Sequence, residues 1–211
     1  MISKIKKKII FFIFFVLPFF PIEVYGGAGI SLEEEGGGAR NKRLGLEQKT
    51  IDSTSVKHEK LLRNIELGNI KELKMYIKNH EGRINFNTMK GINPLVHAVQ
   101  QNNIEIVSLF LSSEDININF QDSLGNTPII KAAENGNIEI IVYLMNKGAD
   151  LDLQNDQGMT AAMKAVEKNR YHILKTLLNN NIDLSISDYT GRTIYDIAAS
   201  SRDKRILKLL N

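Results

Sequence analysis

The 211-residue chain contains no cysteine and no tryptophan, and only four prolines. Without cysteine, disulfide staples, thiolate metal sites, a cysteine nucleophile and the lipid attachment of a lipoprotein are excluded by inventory. Nor does one sign of charge dominate. The formal net charge is +3, but Lys4, Lys6, Lys7 and Lys8 share the first 26 residues with a single acid, Glu23. From Gly27 onward, 23 basic residues stand against 23 acidic ones. A neutral chain has little net field to attract phosphates, so a nucleic-acid partner is not expected.

Long apolar runs are equally scarce. Ile9 to Phe20 is one such run, following the lysines and closed by Pro21. A membrane-crossing helix needs about 20 apolar residues, whereas the core of a signal peptide needs roughly 7 to 15. Residues 1–26 therefore read as an export signal. Val24-Tyr25-Gly26 fits a peptidase site with cleavage after Gly26, Gly26-Gly27-Ala28 is a second candidate, and an uncleaved anchor is the alternative. On this reading the membrane is met only through the export signal. Residues 27–57 combine glycines with Glu33-Glu34-Glu35, Gly36-Gly37-Gly38, Arg40, Lys42 and Arg43, the composition of a flexible linker.

Motifs that carry chemistry are missing too. No two of the four histidines, His58, His80, His97 and His172, share the i, i+4 spacing of a zinc-binding helix. His97 shares a helix column with Lys131 and Lys164 and reads as a surface residue. No Gly-x-Ser-x-Gly elbow and no phosphate-binding loop occur. The expectation is no catalytic site, cofactor, metal or small-molecule substrate.

What the chain does have is a period. Gly91, Gly125, Gly158 and Gly191 stand 34, 33 and 33 residues apart, each opening the same pattern. Self-similarity of this length marks one supersecondary unit copied several times, each burying its apolar face against its neighbours. In Gly125-Asn126-Thr127-Pro128 a turn glycine is followed by a capping threonine and a proline at the first helical position. Asn93-Pro94, Thr160-Ala161 and Thr193-Ile194 repeat the cap. Ala98, Ala132, Ala165 and Ala198 recur in one column, where small side chains let adjacent first helices approach. A second helix follows the breaks at Gly68-Asn69, Asn102-Asn103 and Gly136-Asn137. Its inner columns are Ile70, Ile104, Ile138 and Tyr171, then Leu73, Val107, Ile141, Leu174 and Leu207. Gly148 and Asn181 fit a left-handed residue past its end. Ile84-Asn85-Phe86, Ile118-Asn119-Phe120, Leu151-Asp152-Leu153 and Leu184-Ser185-Ile186 alternate as short extended arms of hairpins.

The pattern Gly-x-Thr-Pro-Leu-x-x-Ala-Ala, then Gly-Asn-x-Glu-x-x-x-x-Leu and Gly-Ala-Asp, resembles the ankyrin repeat, most clearly from Gly125 to Asp150. The resemblance implies an all-α solenoid of antiparallel helix pairs with short β-hairpin loops, stacked into a curve. Units fall at about 58–87, 88–121, 122–154, 155–187 and 188–211, with one extra residue between Ser112 and Asp115 and another around Glu81 to Arg83. The unit from His58 reads as the N-terminal cap. The last unit, whose outer helix carries Arg202, Asp203, Lys204, Arg205 and Lys208, is the C-terminal one. The histidine usual in family repeats two residues after the proline is replaced by Val96, Ile130, Met163 and Asp196, so its polar network is missing or rebuilt.

The resemblance also implies a protein partner, held at the hairpin tips and the adjoining groove. The tips are Met89, Lys90 and Ile92; Ser123, Leu124 and Asn126; Asp156, Gln157 and Met159; Tyr189, Thr190 and Arg192. Gln100, Gln101, Glu134, Asn135, Glu167 and Lys168 line the groove. Ile92, Leu124, Met159 and Tyr189, beside Arg192, form a row with the apolar, aromatic and arginine character of interface hot spots. The expectation is an exported, monomeric, non-catalytic binding protein of the bacterial periplasm. A secreted effector binding host proteins is the alternative, ahead of an envelope chaperone or a small enzyme on a repeat scaffold.

Overall fold

The computed structural model describes residues 54–79, 84–114 and 116–210. The expected signal, its cleavage sites, most of the linker, His80 and the extra loop residues near 81–83 and 115 lie outside them. Helix α1 covers 54–66, so helix is under way four residues inside the stretch read as linker. After it come α2 (Ile70–Asn79), α3 (Pro94–Gln100), α4 (Ile104–Phe110), α5 (Pro128–Asn135) and α6 (Ile138–Asn146). The remaining helices are α7 (Ala161–Glu167), α8 (Tyr171–Leu178), α9 (Ile194–Ala199) and α10 (Lys204–Leu210).

Several of these helices are closed by capping chemistry at their N-terminal ends. Asn93, Thr127 and Thr160 accept the backbone N–H of Val96, Ile130 and Met163 at 3.0, 3.4 and 3.3 Å. Such a cap is worth about 1 kcal/mol. In the last unit the backbone N–H of Thr193 donates to Asp196 Oδ2 at 2.8 Å and its hydroxyl at 2.7 Å. The slot that the family fills with histidine is thus apolar and buried at Val96, Ile130 and Met163, and the polar network is rebuilt from Asn, Thr and Asp. The first helices end on left-handed residues: Gly68, Asn102, Gly136 and Asn169 have φ of 69, 59, 86 and 56°. Asparagine tolerates that conformation, and here its side chain bridges to the next unit. Asn102 accepts from Asn137, and Asn169 accepts the Ser201 hydroxyl.

The helices stack in two layers. The odd-numbered α3, α5, α7 and α9 pack in sequence order, as do the even-numbered α2, α4, α6, α8 and α10, and each odd helix from α3 on packs against the even one that follows it. Ala98, Ala132, Ala165 and Ala198 are all buried where the odd helices meet, as their small size requires. Leu73, Val107, Ile141 and Leu174 are buried in the even layer and Leu207 packs partly against it. Two expectations fail there. Ile138 is 46% exposed, because the column that starts the second helix lies at the edge of the layer. Asn181 is not left-handed, since α8 ends on Asn179 in a right-handed turn with Asn180 N–H on Leu177 O at 3.0 Å; Gly148, at φ 85°, is left-handed.

The loops are hairpin turns, yet among the described residues strand pairing shrinks to one isolated bridge, Ser187 with Thr193. Side chains do the work of strands. Asn117, Asp150 and Asp183 accept backbone N–H groups two residues on, at 2.9, 3.0 and 2.8 Å. Asn85, Asn119 and Asp152 accept from the following unit, at residues 117, 150 and 183. Further along, Asn87, Gln121 and Gln154 donate to the carbonyls of Gln121, Gln154 and Ser187 at 3.1, 2.9 and 2.9 Å. Each amide sits in register one unit before the carbonyl it meets, a ladder running the length of the array.

The turns themselves start at Thr88, Asp122, Asn155 and Asp188, whose side chains accept N–H groups inside the turn. Successive turns are joined by backbone bonds: Ser123 N–H to Gly91 O at 3.0 Å, Asp156 N–H to Leu124 O at 3.1 Å, Tyr189 N–H to Gln157 O at 3.2 Å. That contact is why the turn glycines are glycine. A Cβ on Gly125 would lie 2.6 Å from Asp156 N, and one on Gly158 would lie 2.5 Å from Tyr189 N. Gly191, on which no other turn stacks among the described residues, has open space around the same position.

Gly191→Ala should therefore cost only the left-handed backbone penalty, about 1–2 kcal/mol. Gly125→Ala should cost a further 1–3 kcal/mol or so, because the neighbouring turn must move. Urea unfolding of the two variants checks the ordering. Asp188 supplies a second test. Its carboxylate is buried and accepts the Thr190 hydroxyl at 2.6 Å; its Oδ2 meets Arg192 Nε at 2.9 Å. The Thr190 hydroxyl foremost, against the opposing effect of desolvation, and then Arg192 hold this carboxyl well below the usual range. A depressed folded pKa contributes stability above the unfolded value that is lost as pH falls. The stability gap between wild type and Asp188→Asn should be widest at neutral pH and narrow progressively as pH falls below about 4 toward the depressed folded value; denaturation midpoints at pH 7 and 3 measure it.

Candidate functional site

Four turns and the exposed ends of the odd helices form one continuous face. In register, the two tip positions are Met89-Lys90, Ser123-Leu124, Asp156-Gln157 and Tyr189-Thr190, and the position after each glycine holds Ile92, Asn126, Met159 and Arg192. The two kinds of position behave differently. Met89, Leu124 and Tyr189 are 78, 64 and 72% exposed. Met159 is 4% exposed, Asn126 is buried and Ile92 is half-buried. In the first three of these turns the residue after the glycine turns inward, so Met159 belongs to the core.

The expected row of Ile92, Leu124, Met159 and Tyr189 therefore spans three register positions: Ile92 and Met159 follow the glycine, Leu124 stands one residue before it and Tyr189 two. What projects is Met89, Leu124 and Tyr189. Asn126 is likewise structural: its Oδ1 accepts the Asn155 amide at 2.9 Å inside the fold. Arg192, half exposed, leans back on Asp188 through Nη2 at 2.8 Å, and the Thr190 hydroxyl is spent on the same carboxylate. Asn135 donates to Val99 O at 3.2 Å and so ties α5 to α3. Ser123, Asp156, Gln100, Gln101, Glu167 and Lys168 remain exposed.

Much of the charge along this face is paired. Lys90 meets Glu59 at 3.3 Å, His97 Nε2 lies 3.3 Å from Glu66, and Lys131 meets Glu134 at 2.8 Å. Lys164 meets Glu167 at 3.0 Å and the side-chain oxygen of Gln157 at 2.9 Å. Lys168 lies within 4 Å of both Glu134 and Glu167. His97 and Lys164 are buried, so His97 is no surface residue: its ring fills the column that the lysines occupy in later units. Burial works to raise the Glu134 pKa, but the Lys131 hydrogen bond and the charges of Lys131, Lys164 and Lys168 outweigh it and hold the carboxyl below its ordinary value.

Hollows open between the turns and the helices. One of about 840 Å³ lies between α1 and the first turn, floored by Leu62 and Ile92 and flanked by Leu67 and Met89. A second, of about 250 Å³, lies under Leu124 and Gln157, with Lys131 and Lys164 on its wall. A third, of about 410 Å³, lies beside Arg192 and Ser201. The first includes residues that sequence reasoning missed. Leu67, 62% exposed, falls outside the Leu61, Leu62 and Ile65 stripe of α1, and an off-stripe leucine at a helix end was the available signal.

Turns that stack through backbone hydrogen bonds, capped helix pairs in two layers and a buried alanine column are the anatomy that the resemblance implied. A family model described as ankyrin repeats, three copies, matches residues 61–155 and 142–211. Comparison with curated proteins gives no match. The family model spans well over half of the chain: this protein belongs to the ankyrin-repeat family.

Proposed function

We propose that the array is a non-catalytic docking platform that grips a protein partner on its turn tips, and that the chain works after export, in the periplasm. The reading is carried by Met89, Leu124 and Tyr189, three large apolar side chains held out by turns whose backbones are bonded to one another. Exposed aromatic and aliphatic groups on a rigid frame give contact area at low ordering cost, the property of interface anchors. A frame locked by its own hydrogen bonds favours binding with little backbone change. Export rests on the lysines before Ile9 to Phe20 and on the length of that run.

Met89→Ser, Leu124→Ser and Tyr189→Ser together should weaken capture of the partner, once crosslinking in the producing cell identifies it, by at least about tenfold. The unfolding temperature should stay within the small range expected of surface substitutions. Equal capture by the triple variant rejects this face. Mass analysis of the natural N-terminus should find Gly27 first; an intact Met1 rules out a cleaved signal.

A further inference from the structure

We infer that the partner segment is uncharged and apolar, and that its anchor is a bulky aliphatic or aromatic side chain seated in the hollow between α1 and the first turn. This rests on the docking function proposed above and specifies what is docked. The 840 Å³ hollow is larger than the other two described above and has an apolar floor. Leu67 and Met89, among the most exposed large apolar residues described, flank it. Covering them removes apolar surface from water at about 25 cal/mol per Å².

Its charges select against an ionic ligand. The hollow carries Glu59 and Glu66 against Lys90 and Arg63, with Lys90 held on Glu59 at 3.3 Å. The second hollow repeats the balance, Glu134 and Asp156 against Lys131 and Lys164. In the first hollow two acids balance two bases, leaving no net field to hold an ion; at the second, a phosphate or an acidic peptide would have to break the Lys131–Glu134 and Lys164–Glu167 pairs, 2.8 and 3.0 Å long, and leave a partly buried carboxylate behind, which costs more than a rim charge returns. An uncharged segment leaves every pair intact.

The test is panning a phage-displayed random peptide library on the immobilised full chain, at low salt and again near 1 M salt, where the Debye length falls to about 3 Å. Enriched peptides should carry aliphatic or aromatic residues without net charge, survive the high-salt wash, and bind Leu67→Ser and Met89→Ser variants at least about tenfold more weakly. Lys175→Gln, an exposed change on α8 that lines none of the hollows described, should leave their binding unchanged. Enrichment of acidic or basic peptides that salt removes overturns this inference while keeping the docking function. Apolar peptides indifferent to Leu67→Ser and Met89→Ser overturn the placement of the anchor. Failure of any peptide to enrich overturns the docking function itself.

Discussion

The array depends on the contact between consecutive turns. At Gly91 and Ser123, Leu124 and Asp156, and Gln157 and Tyr189, a backbone N–H of one turn meets a carbonyl of the turn before it. These bonds set how closely units approach and so decide which residues must be small. Gly125 and Gly158 are needed as much for the space they leave to Asp156 and Tyr189 as for their positive φ. The alanine column meets the same demand in the helix layer.

Amide and carboxylate side chains then do what β-strands do in other hairpins. Asn87, Gln121 and Gln154 hand hydrogen bonds from unit to unit at the foot of the turns, and Asn85, Asn119 and Asp152 do so from the preceding arm. A ladder built from side chains tolerates irregular backbone, which is why the arms remain hairpin-like with a single bridge among the described residues. It also keeps the tips fixed. Binding energy at Met89, Leu124 and Tyr189 is then not spent on ordering the loops that carry them.

Much of this was legible in the chain itself. The glycine spacing, the Thr and Asn caps and the alanine column predicted helix pairs in register, because each is a local requirement of backbone geometry or of residue size. The asparagine in place of glycine at Asn102 was visible as a break, though its reach to Asn137 was not, and the equivalent Asn169, which accepts from Ser201, was not read as one. The site was harder to read. Met159 and Tyr189 look alike as apolar residues beside a turn glycine, and only the path of the chain shows that the first points into the core and the second away from it.

Sequence alone determined the repeat, its period, the capped starts of the first helices and the absence of cysteine chemistry, since these follow from spacing and inventory. Tertiary structure decided which tip residues project, that His97 and Lys164 are buried beside carboxylates, and that an apolar hollow opens at α1. The physical reason is that exposure and charge pairing belong to neighbouring units. Glu66 and His97 lie in different repeats, as do Glu134 and Lys168, and nothing local to either member announces the partner that stacking brings against it.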